Sequence, residues 1–207
     1  MKCLLVFCCF LLIASCGSDK GPPPPSKPVV IKDSNIIKRE LANPYLQTDI
    51  SPMDMVYFPT DYPVKKMNGQ ATGTPLARVI YSRPHRGGRK LFGGLVEWGK
   101  IWRLGANEAT EIQFFQPVTI LNKQLDKGQY IMYAIPYEDR WTIGFNRNLY
   151  SWGLTFDPSQ DALQVEVSAI TKPRVVEDFT MIFEKTTDGA DLIMAWENME
   201  VRLPIQF

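Results

Sequence analysis

Apolar and polar residues alternate along much of the chain after residue 70. The clearest alternating runs are 163–167, 179–183, 192–196 and 201–205. Because successive side chains of a strand point to opposite faces of a sheet, this period of two predicts β-strands with one buried face. Four further candidate strands are 77–82, 111–115, 129–135 and 141–145. A spacing that suits a helix is confined to the apolar residues of 96–104.

Short turns separate these candidate strands. Asp126-Lys127-Gly128 and Thr187-Asp188-Gly189 are two of them, and Gly, Asn and Asp are the residues that tight turns favour. Many short strands joined by such turns are typical of a sandwich or a barrel. We therefore predict an all-β fold, a single antiparallel β-sandwich-like domain over residues 50–207 with a Gly/Arg-rich loop insertion.

The first residues of the chain have the pattern of a bacterial lipoprotein signal. Lys2 gives a positive start, and the apolar run 4–13 that follows is too short to span a bilayer. The run ends in Ile13-Ala14-Ser15-Cys16, which matches the lipobox at which lipoproteins are cleaved and lipidated. The alternative is an ordinary signal peptide whose cysteine has no special role. We predict a signal peptide over residues 1–15 and lipid on Cys16.

A tether is predicted over residues 16–49, between the lipidated cysteine and the folded domain. Pro22 to Pro25 favour an extended polyproline helix. The expected partner is therefore a lipid bilayer, reached through Cys16, and the expected location is the bacterial cell envelope. Whether the membrane is the inner or the outer one, and whether the protein faces the periplasm or the surface, stays open.

Composition argues against several kinds of partner and site. The whole chain has 23 Lys and Arg and 22 Asp and Glu, and removal of Lys2 with the signal leaves 22 of each. This balance does not suggest nucleic-acid binding. His85 is the single histidine, and no cysteine follows Cys16, so a zinc site is not expected. We predict no metal and no cofactor, and the sequence identifies no protein partner.

One polar segment departs from the alternating pattern. Between Arg83 and Arg103 the chain has six Lys or Arg residues and a single acid, Glu97, with glycines at several positions. Arginine beside glycine-rich backbone can bind carboxylate or phosphate groups. The candidate ligand-binding residues are Arg83, Trp102, Arg103, Asn107 and Glu108. The alternative is a buried network of arginine and glutamate that only stabilises the loop.

Several motifs of this segment resemble a known family. They are Tyr81-Ser82-Arg83-Pro84, Gly88-Arg89, Phe92-Gly93, and the run from Trp102-Arg103 through Gly105-Ala106-Asn107-Glu108-Ala109-Thr110. With Ile50-Ser51-Pro52, Gly128-x-Tyr130, Trp196-Glu197 and Val201-x-Leu203-Pro204, they are similar to the bacterial family called domain of unknown function 2911. The resemblance implies a secreted or lipid-anchored protein, and it implies no particular activity. Glu97-Trp98 departs from the family, where a proline-aromatic pair is expected.

Three functions are compatible with these residues. The first is a binding module for a small polar or anionic ligand, for example a carbohydrate, in which tryptophans such as Trp98 and Trp152 contact sugar rings. The second is a hydrolase or lyase that uses Glu108 as acid or base beside Arg83 or Arg103. The third is a structural envelope protein. Whether the protein is an enzyme stays open, and the binding module is the preferred hypothesis.

Overall fold

A computed structural model of the chain describes residues 51–207. The predicted signal peptide, Cys16 and the tether lie outside these residues, and those predictions stay untested. The described residues form nine antiparallel strands, one short α-helix, α1 (Tyr62–Met67), and one turn of 3-10 helix at Pro158–Gln160. The strands are β1 (Met53–Phe58), β2 (Ala77–Ser82), β3 (Thr110–Phe114), β4 (Val118–Ile120), β5 (Lys123–Leu125), β6 (Gly128–Pro136), β7 (Arg140–Asn146), β8 (Asp161–Lys185) and β9 (Gly189–Gln206).

The strands form one sheet in the order β1-β2-β3-β6-β7-β8-β9-β4-β5. Its longest member, β8, pairs with β7 along Asp161–Ser168 and with β9 from Ala169 to Lys185. This change of partner links the two halves of the sheet. The expectation of an all-β, antiparallel fold is confirmed, whereas the sandwich detail stays a prediction because one continuous sheet contains all nine strands.

Strands from the two halves of the sheet contact each other across a shared core. Tyr81 of β2 meets Phe179 of β8 edge to face, with ring centroids 5.7 Å apart. Phe58 of β1 lies 5.8 Å from Phe183 of β8 and stacks on Phe207 at 4.9 Å. The alternating apolar residues of the predicted strands supply this core, and Met181, Met194, Val201 and Leu203 are all fully buried.

The connection between β2 and β3, residues 83–109, packs onto the core instead of standing away from it. Leu91, Phe92 and Val96 are buried, so the Gly/Arg-rich segment contributes its own apolar anchors. The possible helical stripe at 96–104 does not form a helix. Trp102 pairs in extended form with Ala134, through N–H to carbonyl bonds of 2.7 and 2.8 Å. Gly93 and Gly99 have positive φ values nearby, a backbone that a regular helix does not use.

Candidate functional site

Arg83 leaves β2 and binds the protein itself. Its Nε donates to the carbonyl of Phe179 at 3.2 Å, and Nη2 donates to the Thr180 hydroxyl at 3.1 Å. Its Nη1 forms an ion pair with Asp54 at 3.2 Å. Three of its five donor hydrogens are therefore used on β1 and β8. This predicted ligand residue therefore links the start of the connection to β1 and to β8.

A tight turn follows Trp102, and it is fixed from several sides. The backbone N–H of Ala106 donates to Ser82 Oγ at 2.6 Å, and Ser82 Oγ donates back to the Ala106 carbonyl. Thr110 Oγ1 donates to the Leu104 carbonyl at 2.6 Å. A Cβ at Gly105 would lie 2.8 Å from Ser82 Oγ, so only glycine fits there. Leu104 and Asn107 adopt φ values of 56° and 59°, which side chains other than Asn and Asp rarely adopt.

Trp102 lies among aromatic side chains and is only partly exposed. Its ring stacks on Trp196 at 5.8 Å and meets Trp141 and Phe179 edge to face at 5.7 and 5.0 Å. Its Nε1 donates to the Gly105 carbonyl at 3.3 Å. Trp102 therefore connects the turn to the core, and its ring faces are occupied by protein.

Arg103 and Glu108 lie together at the outer side of the turn. Glu108 is exposed and its charge acts on Arg103, while Arg103 Nη1 donates to the Trp152 carbonyl at 3.1 Å. Partial burial lowers the pKa of Arg103, and Glu108 opposes that shift. The backbone N–H of Ala109 also donates to the Ser151 carbonyl at 3.4 Å. These contacts bind the turn to the loop that carries Trp152.

The predicted site residues thus fall into two groups. Arg103 and Glu108 are brought together beside the loop of Trp152, whereas the Arg83 guanidinium contacts Asp54 and β8. Asn107 lies in the turn between them along the chain, half-buried and in the left-handed conformation. That these residues share a ligand stays a prediction.

A pocket of about 390 Å³ is lined in part by the same connection between β2 and β3. We call it the Trp98 pocket. Its lining residues come from the connection, the turn between β6 and β7, β8 and β9, and they are Lys90, Phe92, Trp98, Glu138, Thr171, Glu197, Asn198 and Met199. Phe92 and Trp98 stack with centroids 5.7 Å apart and planes at 21°. The pocket therefore has an aromatic wall with polar groups around it.

Glu197 forms part of the pocket in an unusual backbone conformation. Its φ is 54° although it lies within β9. Opposite it, β8 contains extra residues, since Thr171 faces Met199 and Val176 faces Glu197. The Glu197 carboxylate accepts from the Phe92 N–H at 3.4 Å and lies 3.5 Å from Arg86 Nε. A non-glycine residue at such a φ is strained by about 1–3 kcal/mol, and such strain is concentrated at functional sites.

Arg86 does not line the pocket, but it contacts the pocket residue Glu197. It pairs through Nη1 with Glu177 at 3.3 Å and through Nε with Glu197, and about a quarter of its side chain is exposed. The Nε–Glu197 contact is an ion pair and not a well-formed hydrogen bond, because the buried Nε finds no acceptor in hydrogen-bonding geometry. Arg86 therefore holds the Glu197 side chain mainly by charge.

Lys90 and Glu138 add two opposite charges at the pocket. Within residues 51–207, no hydrogen bond or ion pair engages the Lys90 ammonium or the Glu138 carboxylate. Both side chains are exposed to solvent, whereas Asp139 binds Arg140 at 3.0 Å and Arg86 binds Glu177. The pocket thus presents one cation and one anion that the fold does not use.

A second pocket, of about 370 Å³, lies on β8 and β9. It contains Ile182 and Ile193 beside Glu184, Glu200 and Arg202. Arg202 binds Glu184 and also Glu200, the latter at 2.9 Å, and Lys172 binds Glu200 at 3.4 Å. Burial tends to raise the pKa of Glu200, but the bonds from Arg202 and Lys172 lower it overall. The charges of this second pocket are paired within the protein. We therefore favour the Trp98 pocket as the candidate ligand site.

Comparison with known families gives one match. Residues 63–205 match the family described as "Protein of unknown function (DUF2911)". The chain belongs to this family. A search of curated proteins and a search of solved structures find no match. The match covers the sheet from β2 onward, the turn at Gly105 and the Trp98 pocket, and it confirms the family that the motifs around Arg83 and Asn107 resemble.

Two further observations apply to the described part of this DUF2911 protein. None of its helices within residues 51–207 is long and apolar enough to cross a membrane. In the same residues, no group of three or more His, Cys, Asp or Glu side chains is arranged to hold a metal ion.

Most residues of the Trp98 pocket escape prediction from the sequence. Trp98 was a candidate, and Trp196-Glu197 was noted as a family motif. Lys90 lies in the Gly/Arg-rich segment, and Glu138, Thr171 and Asn198 carry no signal in the sequence. They come from four separate segments, and only the bulge in β8 and the return of the connection bring them together.

Proposed function

We propose that the folded domain is a binding module that takes a small polar ligand in the Trp98 pocket. The observation that carries this proposal is the pocket itself, an aromatic wall of Phe92 and Trp98 beside the strained, partly buried Glu197. Its volume of about 390 Å³ lies within the range of small-molecule sites. Aromatic rings bind the apolar face of a ligand, such as that of a sugar, while nearby polar groups orient it.

We further propose that this module is held to a bacterial membrane by lipid on Cys16. The support is the sequence Ile13-Ala14-Ser15-Cys16 after an apolar run, followed by a proline-rich tether. A binding domain on such a tether would sample the space next to the envelope.

The binding role is better supported than the alternatives. A hydrolase or lyase built on Glu108 needs an enclosed carboxylate, but the Glu108 side chain is exposed beside Arg103. A purely structural protein would not need an aromatic-walled pocket with unpaired charges. Catalysis would still be detected in the experiment below as turnover of a bound compound.

Thermal unfolding in the presence of small polar compounds tests the proposal. The full chain in detergent is screened against sugars, sugar acids, amino acids and short peptides. A compound at 100 times its Kd stabilises the protein by about 2.7 kcal/mol, which raises Tm by several degrees. Trp98→Ala should abolish that shift.

One control variant and one further pocket variant make the result specific. Trp152→Ala removes another partly exposed tryptophan, on the loop held by Arg103, and should keep the ligand-induced shift. Asn198→Ala removes a polar pocket group without disturbing the stacked rings and should weaken the shift. A compound that stabilises Trp98→Ala and Asn198→Ala as strongly as wild type would place the site elsewhere and contradict the proposal.

A further inference from the structure

The arrangement of charges at the Trp98 pocket restricts what the ligand can be. Glu197 is already neutralised by Arg86, whose Nε lies 3.5 Å from its carboxylate. The Lys90 ammonium and the Glu138 carboxylate, both on exposed side chains, are engaged by no side chain or backbone group within residues 51–207. The pocket is therefore close to neutral as a whole, but it has a positive and a negative group on different segments.

A ligand with a single charge is poorly matched to this pocket. An anion near Lys90 would also meet the Glu138 carboxylate, and a cation near Glu138 would also meet Lys90. Like charges weaken binding, whereas each opposite pair strengthens it. A ligand that carries both an ammonium and a carboxylate satisfies Lys90 and Glu138 together.

The dimensions agree with a small zwitterion. The pocket's volume of about 390 Å³ can hold a molecule of the size of an amino acid or a very short peptide.

The uncharged lining suits the rest of such a molecule. Phe92, Trp98 and Met199 provide an apolar wall for a side chain, and Trp98 can also attract an ammonium group through its ring face. Thr171 and Asn198 provide hydrogen-bonding groups for a peptide amide. A sugar would use the ring wall but would leave both charges unmatched.

We propose that the Trp98 pocket binds a small zwitterion, an amino acid or short peptide, with its carboxylate at Lys90 and its ammonium at Glu138. This inference rests on the proposed function, because it names the ligand class of the same pocket. It assigns separate roles to the two charged residues. Blocking either end of the ligand should therefore have a separate effect.

Calorimetry with the full chain in detergent tests these roles. The probes are pools of the common amino acids and of simple dipeptides, then the N-acetyl and the C-terminal amide derivatives of the best binder. Either blocked derivative should bind about two- to fivefold more weakly than the zwitterion, because each loses one charge-assisted contact with an exposed side chain. Methyl glucoside serves as the neutral ring probe.

Variants then assign each end of the ligand. With Lys90→Met, the free acid and the amide should bind equally, and with Glu138→Gln, the free amine and its N-acetyl form should bind equally. Lys100→Met and Asp139→Asn neutralise neighbouring charges that do not line the pocket, and they should keep the wild-type preferences. The loss of one preference in each variant, with the other preference kept, is a readout that a merely structural role would not produce.

Each failure has a distinct meaning. If methyl glucoside or a singly charged probe binds in a Trp98-dependent way and no zwitterion does, the ligand class is wrong and the proposed function stands. If zwitterions bind but Lys90→Met and Glu138→Gln leave the preferences unchanged, the assignment is also wrong. If no probe of any class binds to the wild-type chain, both the ligand class and the proposed function are overturned.

Discussion

Ser82 and Ala106 are joined in both directions by a single hydroxyl group. Ser82 Oγ accepts from the Ala106 N–H at 2.6 Å and donates to the Ala106 carbonyl. Ser82 is 1% exposed, so this pair replaces hydrogen bonds that water would otherwise supply. The pair fixes the turn that carries Asn107 and Glu108 to the end of β2. Close packing of backbone thus accounts for the Gly-Ala-Asn run without any ligand.

Loss of the Ser82 hydroxyl should destabilise the domain. Ser82→Ala leaves the Ala106 N–H and carbonyl without this partner, and we expect the free energy of unfolding in urea to fall by about 1–3 kcal/mol. Ser168→Ala, an exposed serine on β8, is the matched control and should change the free energy of unfolding by less than about 0.5 kcal/mol. Equal effects of the two substitutions would show that the Ser82–Ala106 pair does not stabilise the turn.

Much of the sheet is predictable from alternation alone. The predicted strand 77–82 coincides with β2, and 129–135 and 141–145 lie inside β6 and β7. Alternation did not reveal that 163–167 and 179–183 belong to one strand, β8. The residues between them, near Val176, contain bulges that break the period of two while the chain continues in the same direction.

The candidate site was less predictable for a physical reason. Arg83 and Arg103 were grouped because they flank the same segment, but the connection turns so that one guanidinium reaches β8 and the other reaches the Trp152 carbonyl. Side-chain direction in an irregular segment depends on backbone angles such as the φ of 56° at Leu104. No period or spacing in the sequence reports those angles.

The contact from Arg103 to the Trp152 carbonyl should protect the loop around Trp152. Arg103→Met removes this donor, so the loop should open more often, and chymotrypsin should cleave at the exposed Tyr150 and Trp152 several times faster. Arg147→Met removes an exposed arginine of the same loop and is the control. Unchanged cleavage in Arg103→Met would rule out this holding role.

Glu108 should contribute little to stability. Its side chain is exposed and its effect on Arg103 is electrostatic, so solvent screens it. Glu108→Gln should shift Tm by less than about 1–2 °C, since exposed substitutions usually change stability by under about 0.5 kcal/mol. A large fall in Tm would indicate that the buried Arg–Glu network predicted as an alternative exists after all.

Tyr81 should make the domain sensitive to alkaline pH. Burial raises the pKa of Tyr81 to about 12, although the hydrogen bond from the Met181 N–H opposes the shift. The unfolded chain ionises near pH 10, so the stabilisation is complete below that pH and is lost as pH rises through about 12. A pKa that lies two pH units higher in the folded protein than in the unfolded chain corresponds to about 2–3 kcal/mol of stability.

Urea unfolding from pH 7 to pH 11.5 measures this loss. Wild type should lose more of its free energy of unfolding above pH 10 than Tyr81→Phe, which has no ionisable group at that position. Burial also raises the pKa of Tyr133 and of Tyr130, so the comparison with Tyr81→Phe isolates the contribution of Tyr81. Parallel pH profiles for the two proteins would contradict the prediction.

Cys16 should carry lipid in a bacterial host. The apolar run that ends in Ile13-Ala14-Ser15-Cys16 predicts both cleavage and acylation. Cys16→Ser should abolish labelling by a radioactive or clickable fatty acid and block normal processing on a gel. Ser15→Ala keeps a small residue before the cysteine and should be processed like wild type. Labelling that persists in Cys16→Ser would place the lipid elsewhere.

Arg86 and Glu197 should be coupled energetically. About 24% of the Arg86 side chain and 15% of the Glu197 side chain are exposed, and their charged groups lie 3.5 Å apart. Removal of one partner leaves the other charge partly buried, which costs more than the pair itself contributes. Glu197→Gln and Arg86→Met should each lower the free energy of unfolding, with Glu177 partly compensating Arg86 in the first case.

A double-mutant cycle in urea measures the coupling between Arg86 and Glu197. The double variant Arg86→Met/Glu197→Gln should be less destabilised than the sum of the single variants, by about 0.5–3 kcal/mol, because no buried charge is left unpaired. Arg86→Met with Glu184→Gln is the control, since Glu184 pairs with Arg202, and its effects should add. Additivity in the Arg86–Glu197 cycle would mean that the backbone bond from Phe92, and not the charge of Arg86, holds the carboxylate at the Trp98 pocket.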